Sequence, residues 1–206
     1  MLITSGSALL VDGHSHTFNQ VRACVETSKH AGTKHAGARL TIQATRIRRM
    51  PQARTYEHAL AIAACILPAK PIHPLDKLTD SKILSPTMRE KLFPIIKDSA
   101  ESWSVILISA ADIDKYGIQA MNIAGMRRAV GALDERPHYV LTDAMRVDGL
   151  TQPHLPIIGG DSAARCIAAA SVLAKVTRDH YMCDLAERYP GYGLEKHKGY
   201  GTAQHI

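Results

Sequence analysis

Cysteine is scarce in this 206-residue chain. Cys24, Cys65, Cys166 and Cys183 are scattered, with no Cys-x-x-Cys pair. That excludes a disulfide framework and a zinc knuckle, and it suits a reducing cytoplasm, the expected location. No stretch approaches the roughly 18 consecutive apolar residues that a membrane span needs, so no membrane partner is expected. Residues 1–16 lack a basic start, and their apolar run is cut by Gly6, Asp12 and Gly13, which argues against a secretory signal. No P-loop, dinucleotide fingerprint or ordered Ser/His/Asp set occurs. Eleven histidines are present, none in a zinc-type spacing with Cys or Glu.

Acid is missing from one long segment. Residues 27–56 contain no Asp or Glu but carry Lys29, Lys34, Arg39, Arg46, Arg48, Arg49 and Arg54. The whole chain has 25 Lys+Arg against 19 Asp+Glu, a formal net charge of +6, so that segment supplies the entire excess. It reads either as a basic arm able to grip phosphates or as a solvated, poorly ordered face.

What is present suffices for a folded domain. Apolar residues make up 46% and charged residues 21%, which supports a buried core in a single domain. Residues 1–56 show no clear hydrophobic period, so they are expected to be an irregular basic segment. From Ala59 the texture changes. A continuous apolar run over 59–67, ended by Pro68, predicts a buried strand. Ser85-Pro86 reads as a helix cap with proline at the first helical position, and Pro94 predicts a kink or break within that helix. Residues 103–108 form a second strand, Ser109 caps a short helix, and 118–133 carries apolar residues at helical spacing. A third strand over 139–142 ends in Asp143. A loop over 146–156 leads to a short strand end at Ile157-Ile158, then an Ala-rich helix over 162–188, stopped by Pro190-Gly191. Strands alternating with helices predict an α/β domain over 57–206.

Several polar residues are candidates for chemistry. Asp143 closes an apolar strand, and in α/β sheets ligands gather at carboxyl ends of strands. A carboxylate there suits a hard cation such as Mg²⁺, or simply starts a surface turn. Asp161 precedes the long helix, where it either caps free N–H groups or, packed beside Asp143, shares a cation with it, since two adjacent anions repel unless a cation sits between them. The run from Lys196 through Lys198 and Tyr200 to Gly201 offers ammonium groups for phosphates and a ring for stacking, or is a solvated tail. Thr79-Asp80-Ser81-Lys82 offers phosphate donors, or is a turn with a helix cap. Asp179, on the long helix, is expected in an ion pair or a cap rather than at a metal.

Taken in order, Leu78-Thr-Asp-Ser-Lys82-Ile-Leu-Ser85, Tyr139-Val-Leu-Thr-Asp143, Gly160-Asp161, Ile167-Ala-Ala-Ala-Ser171 through Asp179, Tyr189-Pro-Gly-Tyr-Gly193 and His197-Lys-Gly-Tyr-Gly-Thr202 resemble bacterial ribonuclease HII. The resemblance implies an RNase H-like fold, a mixed sheet flanked by helices. It implies a metal-dependent endoribonuclease, ribonuclease H type 2, that cleaves the RNA strand of RNA–DNA hybrids and single ribonucleotides embedded in duplex DNA, with Mn²⁺ or Mg²⁺ as cofactor. By the same resemblance Asp143 and Asp161 are catalytic, metal-holding carboxylates, Tyr200 stacks on a deoxyribose, and Lys82 and Lys198 contact phosphates. A monomer is the expected state.

The chain departs from the family's pattern where its charge is odd. The family opens with a strand ending in Asp-Glu-Ala-Gly-Arg-Gly. Counting back from the strand at 59–67 lands near Arg49-Met50-Pro51, and no Asp-Glu pair occurs before Ala59. Two of the family's four metal carboxylates are therefore missing, Gly159 stands where a lysine is usual, and the C-terminus stops about a helix early. The first strands are expected to be incomplete, residues 1–56 to be foreign to the family, and activity to be weak or absent. A non-catalytic hybrid-binding remnant and an unstable fragment, with strand edges left unpaired, are the alternatives.

Overall fold

The computed structural model describes residues 3–4, 7–8, 39–45, 60–69 and 72–198. Besides a short antiparallel pair, β1 (Ile3–Thr4) with β2 (Ser7–Ala8), the strands form one five-stranded sheet. These are β3 (Arg39–Thr45), β4 (Leu60–Leu67), β5 (Ser102–Ile108), β6 (Tyr139–Asp143) and β7 (His154–Ile157), in the spatial order β5-β4-β3-β6-β7. The β3–β4 and β4–β5 pairs are antiparallel, while β3–β6 and β6–β7 are parallel, so the sheet is mixed, as expected.

The apolar run after residue 59 is a strand because both its faces are covered. Leu60, Ile62, Ala64 and Ile66 meet Met126, Ala129 and Val130 of a helix on one side. Ala61, Ala63 and Cys65 meet Leu92 and Ile96 of a second helix and Ala169, Ala170 and Leu173 of a third on the other. Period-two alternation thus splits an all-apolar sequence between two helical layers. Those helices are α3 (Ile118–Gly131), α1 (Pro86–Ser99) and α5 (Arg165–Arg188), joined by short α2 (Ala110–Tyr116), α4 (Gly160–Ala163) and α6 (Leu194–His197). Small residues face each other where α5 crosses β4, which lets helix and sheet approach closely.

The caps read from the sequence are present. Ser85 Oγ accepts from Met88 N at 3.2 Å and Ser109 Oγ from Asp112 N at 3.1 Å, each satisfying an orphan donor.

Several expectations need correction. Residues 39–45, placed within an irregular stretch, form the middle strand of the sheet. β4 and β6 therefore both have a partner at the sheet centre, and the expected unpaired edges do not arise there. The sheet draws this strand from before residue 57. Helix α1 runs from Pro86 to Ser99 through Pro94, so of the kink or break expected there the break does not occur. The loop expected over 146–156 yields its last residues to β7, which ends at Ile157 rather than Ile158. The single helix expected over 162–188 is two, because Ala164 is extended (φ −133°, ψ 123°). Among the described residues, no helix is long and apolar enough to cross a membrane, and Cys65, Cys166 and Cys183 form no disulfide.

Candidate active site

β6 carries Asp143 out of the core at its carboxyl end. The buried residues Val140, Leu141 and Thr142 anchor the strand. Ala144 then adopts φ 55°, a left-handed conformation uncommon for a residue with a Cβ, and the strand stops there. Two bonds hold this turn: Ala144 N donates to Ile157 O at 2.9 Å, and Thr142 Oγ1 donates to Met145 O at 2.5 Å. The chain turns away and leaves the Asp143 carboxylate at the strand end.

The turn after β7 comes back to it. Gly160 N donates to Asp143 Oδ1 at 2.9 Å. Position 160 has little room for a side chain: a Cβ there would overlap Ile167 Cδ1 and stand 3.3 Å from Asp143 Oδ1. A side chain there would require Ile167 to shift and would crowd the Asp143 carboxylate where the β7–α4 turn closes onto β6. The next residue is Asp161, only 5% exposed. Asp143 and Asp161 are thus brought together by a direct bond between one carboxylate and the residue preceding the other.

A cation already faces them. Lys82 Nζ lies 3.5 Å from Asp161 Oδ2 and 3.7 Å from Asp80 Oδ1, at the end of a side chain that is 73% exposed. Burial alone lowers the affinity of the Lys82 amine for its proton. The negative charges of Asp80, Asp161 and Asp143, with the Asp161 hydrogen bond, outweigh burial and raise its pKa overall. One ammonium therefore feels both site carboxylates.

Lys198 lies elsewhere. Its Nζ donates to Asp179 O at 3.3 Å and touches Cys183 Sγ, both on α5, and its own carbonyl accepts from Arg178 Nη2 at 3.2 Å. Tyr200 lies outside the described residues. Asp179 forms the expected ion pair, with Lys175 Nζ at 2.5 Å. Sequence reasoning missed Arg89. It is a nearly buried helix residue whose guanidinium reaches the loop of Lys82 and also approaches Asp179, 90 positions away, a meeting that no local pattern signals.

The donor set suits a hard divalent ion, because two carboxylates supply anionic oxygen. It suits one ion better than two. Among the described residues no group of three or more His, Cys, Asp or Glu side chains gathers in a way that could hold a metal.

Comparison with known proteins places the chain. The family model for Ribonuclease HII matches residues 58–206. A Ribonuclease HII of Corynebacterium glutamicum is 67% identical over 147 residues, covering 71% of this chain and 70% of that protein. One from Corynebacterium efficiens is 56% identical over 183 positions, covering 78% of this chain and 79% of that protein. The second alignment uses about 161 residues of this chain, so about 22 positions of the relative face no residue here. Among solved structures, the ribonuclease H2 of Pyrococcus horikoshii superposes with a TM-score of 0.64 at 24% identity, covering 80% of this chain and 82% of that one. A Bst-RNase HIII in complex with Mn²⁺ superposes with a TM-score of 0.55 at 15% identity, covering 73% and 55%. These two likenesses establish the RNase H-like fold. With the motif order, the sheet and the family match agreeing, the chain belongs to the ribonuclease HII family.

Proposed function

We propose that the chain is an attenuated endoribonuclease. It binds RNA–DNA hybrids and duplex DNA with an embedded ribonucleotide, holds one divalent ion, Mn²⁺ or Mg²⁺, between Asp143 and Asp161, and cleaves slowly. The observation that carries this reading is the junction of β6 with the β7–α4 turn, where Gly160 N bonds Asp143 beside Asp161. An ion held there would supply charge stabilisation to a phosphoryl group under attack. The chain's own residues do the rest. Lys82 presents an ammonium to a backbone phosphate at the edge of the acidic pair, and the family resemblance assigns Lys198, just after α6, and Tyr200, two positions later in the sequence, to substrate.

Slow cleavage follows from charge. Two carboxylates neutralise one divalent ion, and among the described residues no larger group of ligands gathers to hold a second beside a polyanion. A loss of several kcal/mol of transition-state stabilisation is at stake, and each 1.36 kcal/mol is about tenfold in rate.

The test is a nicking assay on a duplex with one embedded ribonucleotide, run beside the C. glutamicum relative in Mn²⁺. Cleavage by this chain is expected to be at least about a hundredfold slower. Cleavage at the relative's rate that disappears in Asp143→Asn would show that two carboxylates suffice.

A further inference from the structure

We propose that Arg89 is a positioning residue for substrate binding: it fixes the loop that carries Lys82. The proposal rests on the phosphate-contact reading of Lys82 given above.

Lys82 is an exposed side chain on a loop, a poor platform for a specific contact unless its backbone is held. The hold is visible on three sides. Inside the loop, Asp80 Oδ1 accepts from Lys82 N at 2.9 Å, and Asp80 O accepts from Ile83 N at 3.0 Å. From below, the buried hydroxyl of Ser81 bonds that of Ser171 on α5. From the side, one nitrogen of the Arg89 guanidinium, Nη1, donates to two carbonyls that flank Lys82, Ser81 O at 2.8 Å and Leu84 O at 2.7 Å.

Arg89 is itself fixed. Its Nη2 lies 3.7 Å from Asp179 Oδ2, and the other oxygen of that carboxylate takes Lys175 Nζ. All three side chains are between 10% and 16% exposed. A charged network this sheltered from water is costly to assemble as mere ballast. Its output is a rigid loop with an exposed cation at its tip. The planar guanidinium is suited to this role, since one of its nitrogens serves two carbonyls while another faces Asp179, a division of labour an ammonium cannot reproduce. Asp179 also anchors Lys198 through its carbonyl. The same point on α5 therefore supports both lysines assigned to substrate.

The experiment measures the affinity of an RNA–DNA hybrid by fluorescence anisotropy in EDTA, across a salt series, with thermal melts as a check on folding. The variants are Lys82→Ala, Arg89→Met, Arg89→Lys and each Arg89 change combined with Lys82→Ala. Lys82→Ala should weaken binding and flatten the salt dependence by about one phosphate contact, a slope change of roughly 0.7–0.9. Arg89→Met should weaken binding to a similar degree and flatten the slope equally, and the double variant should bind no worse than Lys82→Ala. Should Arg89→Met fail to fold, Arg89→Lys decides, because it keeps the charge beside Asp179 but loses the fork. It should weaken binding with the same slope change in the native background and have no effect in the Lys82→Ala background. Native affinity in a folded Arg89 variant, or losses that multiply in the double variants, would overturn the proposal alone. An unaltered affinity in Lys82→Ala would overturn the phosphate-contact reading of Lys82 and the positioning role with it.

Discussion

Asp161→Asn should abolish the response of this protein to Mn²⁺. In the native chain, saturating Mn²⁺ should add stability by mass action, about 2.7 kcal/mol at a concentration one hundred times the dissociation constant. For a chain of this size that corresponds to a rise of roughly 5–10 °C in melting temperature. The variant keeps the hydrogen-bonding shape of residue 161 but removes half the charge that faces the ion. Its partner Lys82 is highly exposed and simply returns to water, so the metal-free variant should melt close to the native temperature. With Mn²⁺ the rise should disappear. Cleavage should fall by a hundredfold or more, since several kcal/mol of charge stabilisation depends on the ion. A scanning melt with and without Mn²⁺ measures the first effect, and the single-ribonucleotide nicking assay the second.

Gln43→Asp should move the same quantities the other way. β3 and β6 run parallel, and their last register pair is Ile42 with Thr142. The next residues along the two strands are Gln43 and Asp143. Position 43 is therefore the site on the middle strand at the same sheet end as Asp143, and it carries no charge. A carboxylate placed there adds a third anion to a pair that already repels itself. In EDTA the variant should melt below the native protein. In Mn²⁺ it should melt above it, because a third anion at this end of the sheet is compensated by the cation's charge. Metal affinity should rise at least about tenfold, the equivalent of about 1.4 kcal/mol, and cleavage with it. The crossing of the two melting curves with metal is the signature, and a change unrelated to the site would lower both.

Much of this was legible in the sequence because local signals and tertiary packing agree. The run at β4, the cap at Ser85 and the strand ending in Asp143 are each bounded by proline, serine or a charge, and each lies within a residue or two of its expected place. β3 was hidden by its surroundings. Leu40, Ile42 and Ala44 do alternate with Thr41, Gln43 and Thr45, a strand period, but a flanking run of arginines and the absence of any acid mask it. β7 was obscured by Pro156, which lies in a strand at the sheet's edge, where a missing N–H is tolerated. The break at Ala164 leaves no trace in an Ala-rich sequence. At the site, the two aspartates were readable as strand-end and helix-start residues. Their meeting through Gly160 was not, because it depends on how the turn after β7 folds back on β6. The Arg89 network was not readable either, since it joins residues far apart in the chain through buried contacts.

Whether Asp143 and Asp161 share a divalent ion is tested most directly by paramagnetic broadening of backbone amide signals. With substoichiometric Mn²⁺, the signals of residues 143, 144, 160 and 161 should vanish first, and Lys82 should follow. If those signals stay sharp while others broaden, around the histidines for instance, the ion is held elsewhere and the active site described here is not where this protein takes its metal.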